Sequence, residues 1–194
     1  MESTPKTDSA KIKLLGFAGS LRSGSYNKAL LRSALDLLPQ GVYLETFDLD
    51  GIPLFNQDLE MDLPKQVMAF KQKIREADGL LIATPEYNYS IPGVLKNALD
   101  WASRPYGDNV FDGKPVGIMG ASIGLLGTGR AQYHLRQTFV FLNMIPLNQP
   151  EVMVAHAQEK IDKDGKLTDQ KTRDLIRQLL ESLVAWTIRL TRSA

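Results

Sequence analysis

Gly19-Ser20-Leu21-Arg22-Ser23-Gly24-Ser25-Tyr26-Asn27 lies between an apolar run, Ile12-Lys13-Leu14-Leu15-Gly16-Phe17-Ala18, and the stretch Lys28-Ala29-Leu30-Leu31-Arg32-Ser33-Ala34-Leu35. The order is strand, hydroxyl-rich loop, helix. Ser20, Ser23 and Ser25 offer hydroxyls, Asn27 an amide, Arg22 a guanidinium, and the loop several free backbone N–H groups. All are donors gathered at the positive end of a helix, where a phosphate is well placed. The plainer reading is a Ser/Gly turn with a helix cap, but a cap requires neither an arginine nor three hydroxyls. The spacing is neither G-x-G-x-x-G nor G-x-x-x-x-G-K-[ST], which argues against a conventional dinucleotide fold and a P-loop.

Outward from this loop, strand and helix patterns alternate. Residues 42–48 alternate as a strand, and Leu63, Val67, Phe70 and Ile74 follow a helical period over 63–77. Gly79-Leu80-Leu81-Ile82-Ala83 is apolar throughout, as in a strand covered on both faces of a parallel sheet. A helix is expected over 92–101, a strand over 114–120, a helix over 130–142 and a strand over 151–154. A turn at 163–166 and a last helix over 169–190 follow. This succession predicts an α/β fold, a doubly wound sandwich on a five-stranded parallel sheet. Trp101 and Trp186 fall on apolar helical faces and are expected in the core.

The 194 residues suit a single domain, taken as 11–194, behind a polar lead at 1–10 expected to be disordered. With 43% hydrophobic and 23% charged residues the composition is that of an ordinary globular protein. A formal net charge of +1 gives no reason to expect nucleic acid or an anionic membrane as partner. Cysteine is absent, which excludes disulfides, thiolate catalysis and Cys-ligated metals, so any redox chemistry must belong to a cofactor. No apolar run nears the roughly 20 residues that cross a bilayer, and a cytoplasmic protein is expected.

Two more loops follow strands at the same sheet edge, where open α/β sheets bind ligands. Thr84-Pro85-Glu86-Tyr87-Asn88-Tyr89-Ser90-Ile91-Pro92-Gly93 is stiffened by prolines and carries two tyrosines suited to a planar heterocycle, or else packing on neighbouring loops. Ser122-Ile123-Gly124-Leu125-Leu126-Gly127-Thr128-Gly129-Arg130 is glycine-rich, so that backbone can approach a ligand closely, or else a flexible connection. Three such loops on one edge say more than any one.

Together these segments resemble the NADPH-dependent FMN reductase family, and within it the bacterial quinone and chromate reductases. The resemblance rests on Gly-Ser-Leu-Arg-x-x-Ser-x-Asn at 19–27 and Pro-Glu-Tyr-Asn-Tyr-Ser-x-Pro-Gly-x-Leu-Lys-Asn-Ala-x-Asp-Trp at 85–101, with Gly129 through Gln137. It implies a flavodoxin-like three-layer sandwich binding FMN non-covalently. By matching position, Ser20, Arg22, Ser25, Tyr26 and Asn27 would hold the FMN phosphate. Pro85, Glu86, Tyr87, Asn88 and Tyr89 would border the isoalloxazine, with Ser122 and the backbone through Gly124 at its pyrimidine end. NADPH or NADH would deliver two electrons as hydride to the flavin by a ping-pong mechanism. Quinones would be the acceptors, with chromate, other metal ions, azo compounds or free flavin as further ones. Such proteins are commonly homodimers or homotetramers, and Tyr133, Leu135, Phe139 and Phe141 offer apolar surface for a partner.

No metal site is expected, because the two histidines lack clustered carboxylates. His134 reads as a hydrogen-bonding or interface residue rather than a proton donor. Arg104 and Arg130 are candidates for the 2′-phosphate of NADPH, against the alternative of ordinary surface arginines. The Glu86 side chain either touches substrate or leaves the work to its backbone. Two other functions share the fold: a one-electron carrier, disfavoured by a charge of +1, and a flavin-binding redox sensor.

Overall fold

A computed structural model describes residues 11–191. The polar lead at 1–10 lies outside them. The strands are β1 (Ile12–Ala18), β2 (Val42–Phe47), β3 (Gly79–Ala83), β4 (Pro115–Ala121), β5 (Ile145–Pro146) and β6 (Val152–Val154). The helices are α1 (Tyr26–Leu35), α2 (Lys65–Glu76), α3 (Gly93–Ala102), α4 (Gly129–Leu142), α5 (Ala157–Lys160) and α6 (Gln170–Thr191). All strand pairs are parallel in the order β2-β1-β3-β4-β5, with β6 also beside β4. This is the flavodoxin-like order, with its switch point between β1 and β3.

The fifth position in the sheet differs from the single strand expected there. Ile145–Pro146 pairs with Pro115 and Val116, and Val152–Val154 with Met119 through Ala121. Pro146 and Pro150 bound the gap between them, and proline cannot donate to a ladder. One strand position is therefore filled by two short pieces.

The apolar runs are buried on both faces, with neighbours along a strand entering opposite layers. Leu14, Leu81 and Met119 pack with Leu30, Leu31, Leu179 and Leu183 of α1 and α6. Leu15, Leu80, Ile82 and Ile118 pack with Phe70, Leu95, Leu99, Leu135 and Phe139 of α2, α3 and α4. Trp101 is fully buried and donates its indole N–H to the Pro53 carbonyl at 2.8 Å. Trp186 departs from expectation: it is half-buried beside the sheet edge, donating to the Ile145 carbonyl at 3.1 Å. Of the apolar residues on α4, Leu135 and Phe139 are core, whereas Tyr133, Val140 and Phe141 are exposed.

Helix α6 is capped by Asp169, whose Oδ2 accepts from the Thr172 N–H at 2.8 Å and the Thr172 hydroxyl at 2.5 Å. That hydroxyl, then the N–H, holds the Asp169 carboxyl below the usual carboxylate range. Asp169→Ala is expected to lower the unfolding free energy by about 1 kcal/mol. A lowered folded pKa means that the charge-dependent part is complete above the unfolded value of about 3.9 and fades as pH falls through the folded one. Denaturant melts of both proteins between pH 7 and pH 3 check this. A gap that widens on acidification contradicts it. No helix among the described residues is long and apolar enough to cross a membrane.

Candidate active site

The carboxyl ends of β1, β3 and β4 deliver three loops to one place. Ser25 caps α1, its Oγ accepting from the Lys28 N–H at 3.3 Å, and the Ser25 N–H closes a turn on the Arg22 carbonyl at 3.2 Å. The backbone N–H groups of Ser23, Gly24, Tyr26 and Asn27 donate to no acceptor among the described residues. They form an anion-ready end of α1. Arg22 is exposed, donates to the Gly24 carbonyl of its own loop, and lies 5.1 Å from the Tyr26 ring centre.

Asn27 behaves differently from its neighbours. Its side chain is buried, donates to the Ala121 carbonyl at 3.0 Å and accepts from the Ala121 N–H at 2.9 Å. The amide therefore ties α1 to the end of β4, leaving the Asn27 backbone N–H for a ligand.

The second loop begins with Thr84, whose N–H meets the Met119 carbonyl at 2.9 Å. Its tip is a two-residue hairpin: Tyr87 and Ser90 exchange N–H···O bonds at 3.0 Å, with Asn88 and Tyr89 at φ of 49° and 67°. That geometry matches a type I′ turn, in which asparagine is at ease and tyrosine is strained. In the third loop the Ser122 hydroxyl donates to the Gly127 carbonyl. Gly127 has φ of 59°, and a Cβ there would come within 2.7 Å of the Met153 main chain, so only glycine fits.

Between the loops runs an open cleft of about 280 Å³, close to the lower end of the roughly 300–1,000 Å³ usual for small-molecule sites. Ser20, Arg22, Ser25, Tyr26 and Asn27 line one end; Pro85, Glu86 and Tyr87 face Ala121, Ser122 and Ile123 at the other. Asn88, Tyr89 and Gly124 are not part of this lining. Ala121 was missed: an apolar residue at a strand end carries no chemical signal.

Glu86 is occupied by its neighbours. Its side chain is 5% exposed; it pairs with Arg130 and accepts from the Ala131 N–H at 3.2 Å. The Arg130 guanidinium carbon lies 3.6 Å from the Tyr89 ring centre. Desolvation acts most strongly to lower the Arg130 pKa, but Glu86 and Tyr89 together raise it above its ordinary value. Arg104 is bidentate to Glu60 at 2.6 and 3.1 Å and outside the cleft lining. Both arginines considered for a 2′-phosphate thus have carboxylate partners. His134 Nδ1 lies 3.0 Å from the Ser90 hydroxyl. Among the described residues, His, Asp and Glu side chains form no group able to hold a metal.

The family model described as NADPH-dependent FMN reductase matches residues 12–159, covering all three loops. The chain belongs to this family. FMN as cofactor and NAD(P)H as electron donor come with membership of the FMN reductases, and the chain is an oxidoreductase of that kind. It is 57% identical over 180 residues to the NAD(P)H-dependent FMN reductase of Pseudomonas aeruginosa, covering 92% of this chain and 97% of that one. It is 45% identical over 175 residues to a 2-hydroxy-1,4-benzoquinone reductase of Burkholderia sp., covering 90% and 96%. Among solved structures, the flavoenzyme NAD(P)H:(acceptor) oxidoreductase of Paracoccus denitrificans aligns with TM-score 0.84 and 33% identity over 92% of this chain and 98% of that one.

The cleft suits the cofactor of an FMN reductase. Unpaired N–H donors and Arg22 at one end match a phosphate dianion, and the two facing walls at the other match a flat ring.

Proposed function

We infer that this FMN reductase passes electrons from NAD(P)H to quinones, using one cleft for both substrates in turn. The reading is carried by a single cleft whose donor-rich end is closed by α1 while its other end opens beside Tyr87. Bound FMN supplies the two-electron chemistry. Ser20, Arg22, Ser25, Tyr26 and the Asn27 N–H hold its phosphate; Pro85, Glu86 and Tyr87 line the ring on one side, Ser122 on the other. Asn88, Tyr89 and Gly124 complete the rim, where nicotinamide and then a planar acceptor bind. The quinone reductase named among the relatives supports this acceptor class. Chromate, other metal ions, azo compounds and free flavin are further acceptors that an open rim admits. The cytoplasm, with its reduced nicotinamide pool, is the compartment this activity fits.

The test is direct. Purified protein is expected to be yellow, to bleach on anaerobic addition of NADPH, and to recover its colour when a benzoquinone is added. Bleaching without recovery would remove quinones as acceptors. Alternation at one site further predicts parallel lines in double-reciprocal plots, and intersecting lines rule it out. The exposed Tyr133, Val140 and Phe141 on α4 support association into a homodimer or homotetramer, read by light scattering.

A further inference from the structure

Among the described residues, the polar contacts between α4 and the second loop converge on residues 86–90. Arg130 and the Ala131 N–H hold Glu86, the Arg130 guanidinium covers Tyr89, and His134 meets Ser90. Glu86 lies in the cleft wall that follows β3, and Arg130 in the first turn of α4, the helix that continues from the loop supplying the facing wall. A carboxylate this buried needs its partner, because an unpaired charge is strongly disfavoured away from water. The pair therefore ties one wall to the helix that carries on from the other, and the spacing of the walls depends on it. It also braces a tyrosine in a left-handed conformation, a strain that persists only where surrounding contacts enforce it.

We propose that Glu86 is a positioning residue: acting through Arg130 and Ala131, it fixes the width of the ring slot and thereby its preference for thin, planar electron acceptors. This rests on the flavin reading above. A slot set by an ion pair rather than by the main chain alone widens when either partner is removed, without loss of the sheet or the phosphate loop. The consequence is selective. Ring binding and acceptor KM change, while phosphate binding is kept.

The experiment compares Glu86→Ala, Arg130→Met, their double variant and Arg130→Lys. Riboflavin, which lacks the phosphate, and FMN are titrated into apoprotein by fluorescence quenching. Each single variant is expected to weaken both flavins by the same factor, on the order of tenfold, as removal of a supporting partner does elsewhere. The double variant is expected to be no worse than either single one, since residues of one contact do not add. Arg130→Lys is expected to restore most of the affinity. For a planar benzoquinone, KM should rise in each single variant, with kcat nearly unchanged in Arg130→Met, whose side chain does not line the cleft, and a bulkier non-planar quinone should lose its disadvantage. Multiplicative losses, a fall in kcat alone, or unchanged riboflavin binding in Glu86→Ala would overturn the proposal. Hydrogen exchange at the Tyr87 and Ser90 amides gives a flavin-free readout. If wild-type protein binds neither flavin, the flavin reading fails, and exchange unaccelerated in Glu86→Ala overturns the brace as well.

Discussion

Asn27→Ala is expected to destabilise the protein by about 2–4 kcal/mol, because it leaves both main-chain groups of Ala121 without partners, at about 1–3 kcal/mol each. The two bonds join α1 to the end of β4 across 94 positions of sequence, in a buried setting. Water entering from the adjoining cleft recovers part of the loss, which sets the estimate below the full sum. Urea unfolding followed by circular dichroism measures it, and the midpoint of a thermal melt should fall by roughly 5–15 °C. A change within about 0.5 kcal/mol of wild type, the size of an ordinary surface substitution, would show that the amide is not a structural tie. The same variant should bind FMN less well, since Ala121 lines the cleft opposite Pro85 and Glu86.

Arg22→Ala is expected to raise the FMN dissociation constant about 10–150-fold, the loss of a charge-assisted phosphate contact of roughly 1.5–3 kcal/mol. Riboflavin affinity should stay near that of wild type. Arg22 rests on its own loop through the Gly24 carbonyl, so it reaches a phosphate by a side-chain rotation without moving the fold. Raising the salt concentration should weaken FMN binding to the wild type more than to the variant, because the charge contact is screened. Equal FMN affinity in the two proteins would remove Arg22 from the phosphate site.

Much of the architecture could be read in advance because parallel strands are buried on both faces and so appear as continuous apolar runs, as at 79–83. Strand order then put all three loops on one edge. Strand β5 escaped notice because two residues, one of them proline, give no period. For Trp186, helical periodicity told which face it occupies but not that the face lies at the rim of the sheet. The site was legible as residue types in loops; what those residues bind within the protein was not. Asn27 was singled out as a donor for ligand, yet its amide is spent on a strand 94 positions away. The Glu86–Arg130 pair joins the second loop to the first turn of α4 across 44 positions, and neither residue signals the other by spacing.

The divided fifth strand position also bears on how copies of the molecule meet. It forms one border of the sheet, with pieces of two and three residues, prolines at 146 and 150, and the Ile145 carbonyl already taken by Trp186. A border so broken offers no run of free main-chain donors and acceptors on which a neighbouring strand could zip. Any association on this flank would fall to side chains rather than to a sheet continued from one copy into the next.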